Sequence, residues 1–150
     1  MSTKTAQEST ISTKLLSRWE QVGQKLASLA EAIPEATYEF RPAEGLRTVG
    51  DVLRHVAFWN QYVAGTLRGS GPDDSANELP KAGYASKARI VDALKGSTAD
   101  AAAAIGERDG GLDPQMAETV VSFIEHTSEH YGQLVVYARL EGIVPPSSRG

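Results

Sequence analysis

An all-α fold built as a four-helix bundle is what this sequence predicts, and three observations carry the expectation. Apolar residues recur every three or four positions through four long segments, the period of a helix buried along one stripe. No stretch shows the strict alternation that a half-buried strand needs. Clusters of glycine, proline and aspartate separate the segments, where the backbone must leave the helical region.

The first segment runs from about Ile11 to Ile33, with Ile11, Leu15, Trp19, Val22, Leu26, Leu29 and Ile33 on one stripe, and Pro34 ends it. The connection "PEATYEFRPAEGLRT" holds too much proline and glycine for a helix. Thr48 then offers an N-cap, and Asp51 at the third helical position makes a weaker capping box. The second helix carries Val52, Val56, Trp59 and Val63 on one face, with His55 and Tyr62 beside them, and stops near "GSGPDD".

From about Gly69 to Gly83 the chain is polar and is expected to form a mobile loop. A third helix is predicted from Ser86 to Arg108 on Ile90, Leu94, Ala101 and Ile105, although Gly96 disfavours its middle. After "DGGLDP", Asp113 reads as an N-cap and Pro114 as the first helical residue. The last helix then reaches about Glu141, with Gly142 as its C-terminal cap and Pro145-Pro146 barring a return. Its stripe is Met116, Val120, Phe123, Thr127, His130, Leu134 and Tyr137.

The chain has 150 residues, enough for one domain that buries roughly two thirds of its unfolded surface. Residues 1–150 are read as that single domain, with 1–9 a flexible N-terminal tail and 145–150 a C-terminal tail. A net charge of −4 without a basic cluster argues against nucleic-acid binding. No apolar run reaches the length of a membrane span, and the start "MSTKTAQEST" lacks the apolar region of a signal peptide. The absence of cysteine removes disulfides, thiolate zinc sites and a cysteine nucleophile together, and fits a cytoplasmic location.

Chemistry concentrates in three histidines. His126 and His130 lie four residues apart on one helix, so both side chains can face one metal ion. His55 sits on the buried-looking face of another helix, and bundle cores build metal sites from such inward-facing side chains. A lone histidine on an apolar stripe is ordinarily a satisfied core residue; a pair one turn apart needs partners, and a shared ion supplies one for both. The string His126-Thr-Ser-Glu129-His130 also spells H-x-x-E-H, a zinc-peptidase signature. That chemistry needs a glutamate ligand well downstream on another helix, and only Glu141 follows, on the same helix. A carboxylate-bridged di-iron site needs Glu-x-x-His on two helices, which Glu125 and Glu129 do not provide. Both glutamates read as part of the solvated flank, with Glu129 the one nearby candidate for a general base.

Two stretches resemble a known family. "VGDVLRHVAFWNQYV" is similar to the second-helix motif of DinB-like (DinB/YfiT) proteins, in which a histidine follows a capped helix start. "FIEHTSEHYGQLVVYARLEGIVPPSSR" resembles their last helix, H-x-x-x-H-x-G-Q-L followed by Arg, Gly and a Pro-Pro turn. "YEFRPAEGLRTVGD" resembles their proline-containing link between the first two helices. The resemblance implies an up-down-down-up bundle, often a homodimer, with one divalent metal on three histidines that fall here on His55, His126 and His130.

What the ion would do is less determined, because fold and ligands do not fix a reaction. A thiol S-transferase is the favoured reading: three neutral imidazoles leave an ion with an open position, and a coordinated low-molecular-weight thiol would ionise there. The alternatives are a metal-dependent hydrolase, with Glu129 as base, and a non-catalytic metal-binding or dimerisation module. Imidazole suits zinc or nickel, and iron or copper as well. The expected partner is a small-molecule substrate. Arg54 and Arg139 could line the mouth of the site, though a surface charge on a buried stem is the plainer role. Trp59 and Tyr62 could form an aromatic pocket, against the plainer role of core.

Overall fold

Each helix begins on a side chain that accepts a hydrogen bond from an N–H left without a partner in the first turn. In the computed structural model, which describes residues 10–108 and 110–149, Thr10 caps α1 (Ile11–Ala32), Thr48 caps α2 (Val49–Leu67), Ser86 caps α3 (Lys87–Gly106) and Asp113 caps α4 (Pro114–Leu140). At Thr48 the capping box is complete, because the Asp51 carboxylate accepts from the Thr48 N–H at 3.2 Å. Single 3-10 turns lie at Glu35–Thr37 and Pro146–Ser148, and the described residues contain no strand. The all-helical expectation therefore holds.

The C-terminal end of α4 is a complete Schellman turn. Gly142 takes a left-handed backbone at φ 77°, its N–H donates to Arg139 at 3.1 Å, and Ile143 N–H donates to Ala138 at 2.8 Å. Ile143 packs on the core beyond it.

The main packing faces place α1 against α3 and α4, and α2 against the same two helices. Along the bundle the apolar core divides in two. One cluster holds Leu26, Leu29, Val52, Val56, Leu94 and Leu134; the other holds Trp19, Val63, Leu67, Ala101, Ile105 and Val120. Between them lies a polar layer, in which Asn60 donates to Ser97 Oγ at 3.3 Å and Thr98 Oγ1 at 3.2 Å, with Thr127 buried at the same level. Gly23 belongs to this layer because a Cβ there would collide with the Thr98 side chain. The Trp19 indole donates to the Thr98 carbonyl at 3.0 Å, tying α1 to α3.

Four expectations need correction. Ile11 is 77% exposed rather than part of the buried stripe. Ser12, about 100° round the helix, is the residue that meets the α3–α4 connection, accepting from Leu112 N–H at 2.9 Å, and this turns Ile11 outward. Helix α3 stops at Gly106, short of Arg108, whose guanidinium instead donates to the Leu67 carbonyl at the end of α2. Arg54 is no surface charge: only 2% of it is exposed, with its guanidinium held by Asp51 at 2.5 Å and by the Tyr84 carbonyl at 3.0 Å. A buried cation is tolerated when such partners replace water.

The fourth is the connection between α2 and α3, which composition marks as mobile. It is fastened at several points: Leu79 is buried and its N–H donates to Arg54 O of α2 at 3.3 Å, while Glu78 pairs with Arg47, just ahead of that helix, at 3.0 Å. The residues expected as a C-terminal tail make a turn against α1, and Ser147 in that turn hydrogen-bonds the Tyr131 hydroxyl of α4 at 2.7 Å. The tail expected at 1–9 lies outside the described residues.

Candidate metal centre

Helix α2 presents His55 from its second turn, and α4 presents His126 and His130 one turn apart on the facing side. The three rings form a near-equilateral triangle, with centroid separations of 4.8, 4.8 and 4.6 Å. One nitrogen from each lies within 4.8 Å of the others. His55 is buried, and the α4 pair is half-buried. Helical spacing thus delivers two of the donors, and packing of α2 on α4 delivers the third.

Hydrogen bonds to oxygen acceptors decide which nitrogen is free in two of the rings. His55 Nδ1 lies 2.7 Å from the Asn77 carbonyl, which can only accept, so Nδ1 carries the proton and Nε2 holds a lone pair. At His130 the assignment follows a longer chain. The Tyr137 hydroxyl donates its single proton to the Arg47 carbonyl at 2.9 Å, so it must accept from the Gln133 amide nitrogen, also at 2.9 Å. This orients the Gln133 oxygen towards His130 Nδ1 at 2.8 Å, placing the proton there and leaving Nε2 as a donor lone pair. Nε2 of His126 approaches Nε2 of His55 to 2.9 Å. Three convergent imidazoles, two of them with the opposite nitrogen held by an oxygen acceptor, are the donor set that a borderline divalent ion requires, so the residues present fit such an ion.

Burial keeps two of the donors neutral. Burial, opposed by the Asn77 carbonyl and reinforced by the proximity of Arg47 and His130, pushes His55 down to about 4. Burial first, then His130, His55 and Arg47, pushes His126 down to about 3. These two rings keep their lone pairs in mild acid, where an exposed imidazole would carry a proton.

One side of the triangle is aromatic. Trp59 stacks on Phe123 at 5.3 Å and 16°, Tyr62 meets Trp59 at 4.9 Å, and Phe123 meets His126 at 5.6 Å. All three are half-buried, so they form a wall beside the histidines rather than plain core. Trp59 is held by its indole N–H, which donates to Asn77 Oδ1 at 2.8 Å.

The other candidates fall elsewhere. Glu125 and Glu129 are exposed and outside the histidine group, as is Arg139 on the last turn of α4, and Arg54 is committed to Asp51 and Tyr84. Sequence reasoning missed Asn77 and the supporting roles of Gln133 and Tyr137. Gln133 carried one signal, its position three residues after His130; Asn77 carried none, since its contacts span 22 and 18 residues.

No curated protein matches the chain. A family model described as the DinB superfamily matches residues 18–134, a span that includes all three histidines.

Proposed function

Because the chain belongs to the DinB superfamily, we propose that it is a metal-dependent enzyme of the thiol S-transferase type, with His55, His126 and His130 as ligands to one divalent ion. The observation that carries this reading is a group of three ligand atoms and no more among the described residues. A structural zinc site is normally closed by a fourth protein ligand, whereas a catalytic one keeps a position open. When bound, the ion would supply a Lewis-acid position at which a small thiol loses its proton. The chain's own contribution is orientation and shelter. Asn77 and Gln133 hold the imidazoles in the donating tautomer, and the Trp59–Phe123 stack keeps water from one side. Hydrolysis is the weaker alternative because it gains from a positioned base, and Glu129 is exposed on the flank of α4.

The helices are inferred to run up-down-down-up, supported by their pairings. Trp59 meets Phe123 and Arg47 meets Tyr137, so numbering on α2 and α4 runs in opposite senses. Asn60 with Ser97 and Arg68 with Glu107 run in the same sense on α2 and α3. A homodimer, a small-molecule substrate and a cytoplasmic location complete the proposal. No described helix is long and apolar enough to cross a membrane.

The test compares metal-loaded protein, metal-free protein and His55→Ala on electrophilic substrates, with bacillithiol, mycothiol, glutathione or cysteine as donor. Ester and amide substrates without thiol form the second arm. Turnover that requires thiol, metal and His55 is expected. Metal-dependent turnover confined to the second arm would replace the proposal with hydrolysis. Tight metal binding with silence in both arms would replace it with a non-catalytic module.

A further inference from the structure

Asn77 makes two hydrogen bonds to two side chains on the same face of α2, and it does so from an uncommon backbone conformation. Its carbonyl accepts from His55 Nδ1 at 2.7 Å, and its side-chain oxygen accepts from the Trp59 indole at 2.8 Å. His55 and Trp59 are four residues apart, hence neighbours one turn along the helix. Among the described residues Asn77 alone, glycines aside, has a positive φ, at 61°. Asparagine tolerates that left-handed region better than other residues with a side chain, and strain of this kind persists where surrounding contacts fix it.

We propose that Asn77 is a positioning residue for the metal centre: its left-handed backbone aims a carbonyl at one ligand while its side chain holds the aromatic wall. The proposal rests on the reading of His55 as a ligand. A histidine ligand is oriented by the partner of its other nitrogen. Here that partner is a main-chain carbonyl, so the orientation depends on φ at Asn77 and not on its side chain. The neighbouring contacts hold the segment in place: Glu78 pairs with Arg47, and Leu79 is buried with its N–H on Arg54. The polar connection between α2 and α3 thereby becomes part of the site, linking the ligand to the wall that would face a substrate.

Backbone and side-chain roles separate by substitution. Asn77→Gly removes the side-chain oxygen but adopts a positive φ freely. Asn77→Pro removes the same oxygen and fixes φ near about −65°, swinging the carbonyl away from His55. The Asn77 N–H donates no hydrogen bond among the described residues, so proline removes no other bond. Affinity for cobalt(II) is measured by competition with a chelating dye, together with the visible absorption of the cobalt form. The glycine variant is expected to bind close to wild type, and the proline variant about 10-fold weaker or more. In a Trp19→Phe background, which leaves Trp59 as sole indole reporter, Asn77→Gly should shift emission to the red as Trp59 loses its acceptor. Circular dichroism checks folding; should the proline variant be unfolded, Asn77→Ala replaces it, with weaker binding than the glycine variant expected because alanine resists positive φ. Wild-type affinity in the proline variant, or in the alanine replacement, overturns the proposal, as does equal loss in glycine and proline variants. Unshifted Trp59 emission overturns the part that concerns the wall. A wild-type protein that fails to bind cobalt would instead remove the metal reading itself.

Discussion

Replacing Tyr137 with phenylalanine removes one oxygen atom from a chain of hydrogen bonds that ends at His130. The ring is retained, and with it the edge-to-face contact with Phe40 at 6.0 Å. What is lost is a donor to the Arg47 carbonyl and an acceptor for the Gln133 amide, both at 2.9 Å. Tyr137 is only 2% exposed, so water cannot take the place of its hydroxyl inside the pocket. Leaving buried groups unpaired costs about 1–3 kcal/mol. Arg47 and Gln133 are only half-buried and can recover part of this from solvent, so the lower half of that range is expected, about 1–2 kcal/mol. For a domain of this size each kcal/mol moves the melting temperature by about 2–4 °C, giving a fall of roughly 2–8 °C in metal-free protein. A second effect follows from the polarity of the chain. Without the hydroxyl, the Gln133 amide has no reason to present its oxygen to His130, and the donating tautomer loses its preference. Cobalt affinity should drop, by less than the 10-fold typical of a direct partner since the change is one bond further away. Thermal melts followed at 222 nm and dye competition measure the two. An unchanged melting temperature would refute the energetic reasoning; lost stability with unchanged affinity would sever the chain from the site.

Two further outcomes are expected. His55 and His126 are neutral in the folded protein down to about 4 and 3, while in the unfolded chain they protonate near 6.5. Their contribution is therefore complete above about pH 6.5 and is lost as pH falls towards 4, with a limiting slope of about 1.4 kcal/mol per pH unit for each. Urea titrations of metal-free protein at pH 7, 6 and 5 should show this loss, reduced in His55→Ala; a flat profile in wild type would contradict it. Gly142→Ala, at φ 77° in the turn that ends α4, should cost about 1–2 kcal/mol, read as a lower urea midpoint with unchanged slope.

The parts of the fold legible in the sequence were those whose cause is local. Thr48, Asp113 and Gly142 announce helix ends because capping uses residues within one turn. His126 and His130 announce each other through a four-residue interval, and His55 stands on a stripe whose period alone says it faces inward. What stayed hidden depends on partners far along the chain. Burial of Arg54 is intelligible only once the Tyr84 carbonyl, 30 residues away, is beside it. The connection after α2 looked mobile because its composition is polar, yet Asn77 and the Leu79 N–H are fastened to α2 and Glu78 to Arg47. Exposure of Ile11 likewise follows from a contact between Ser12 and Leu112, at a separation of 100 residues.

The polar layer at the middle of the bundle has a consequence for how the helices can slide. Purely apolar stripes of Leu, Val and Ala would fit almost as well after a one-turn shift of about 5.4 Å. Asn60 would then leave Ser97 and Thr98 and bury its amide against aliphatic neighbours, a cost of several kcal/mol. Gly23 would likewise leave the place where its missing side chain admits Thr98. The layer acts as an axial stop, in the manner of a single buried asparagine in a coiled coil. His55 must meet a pair carried by a different helix, and a shift of one turn would take it past both. Asn60, a residue that touches none of the three histidines' donor atoms, thus fixes the height of α2 against α3, and with it the level at which His55 stands.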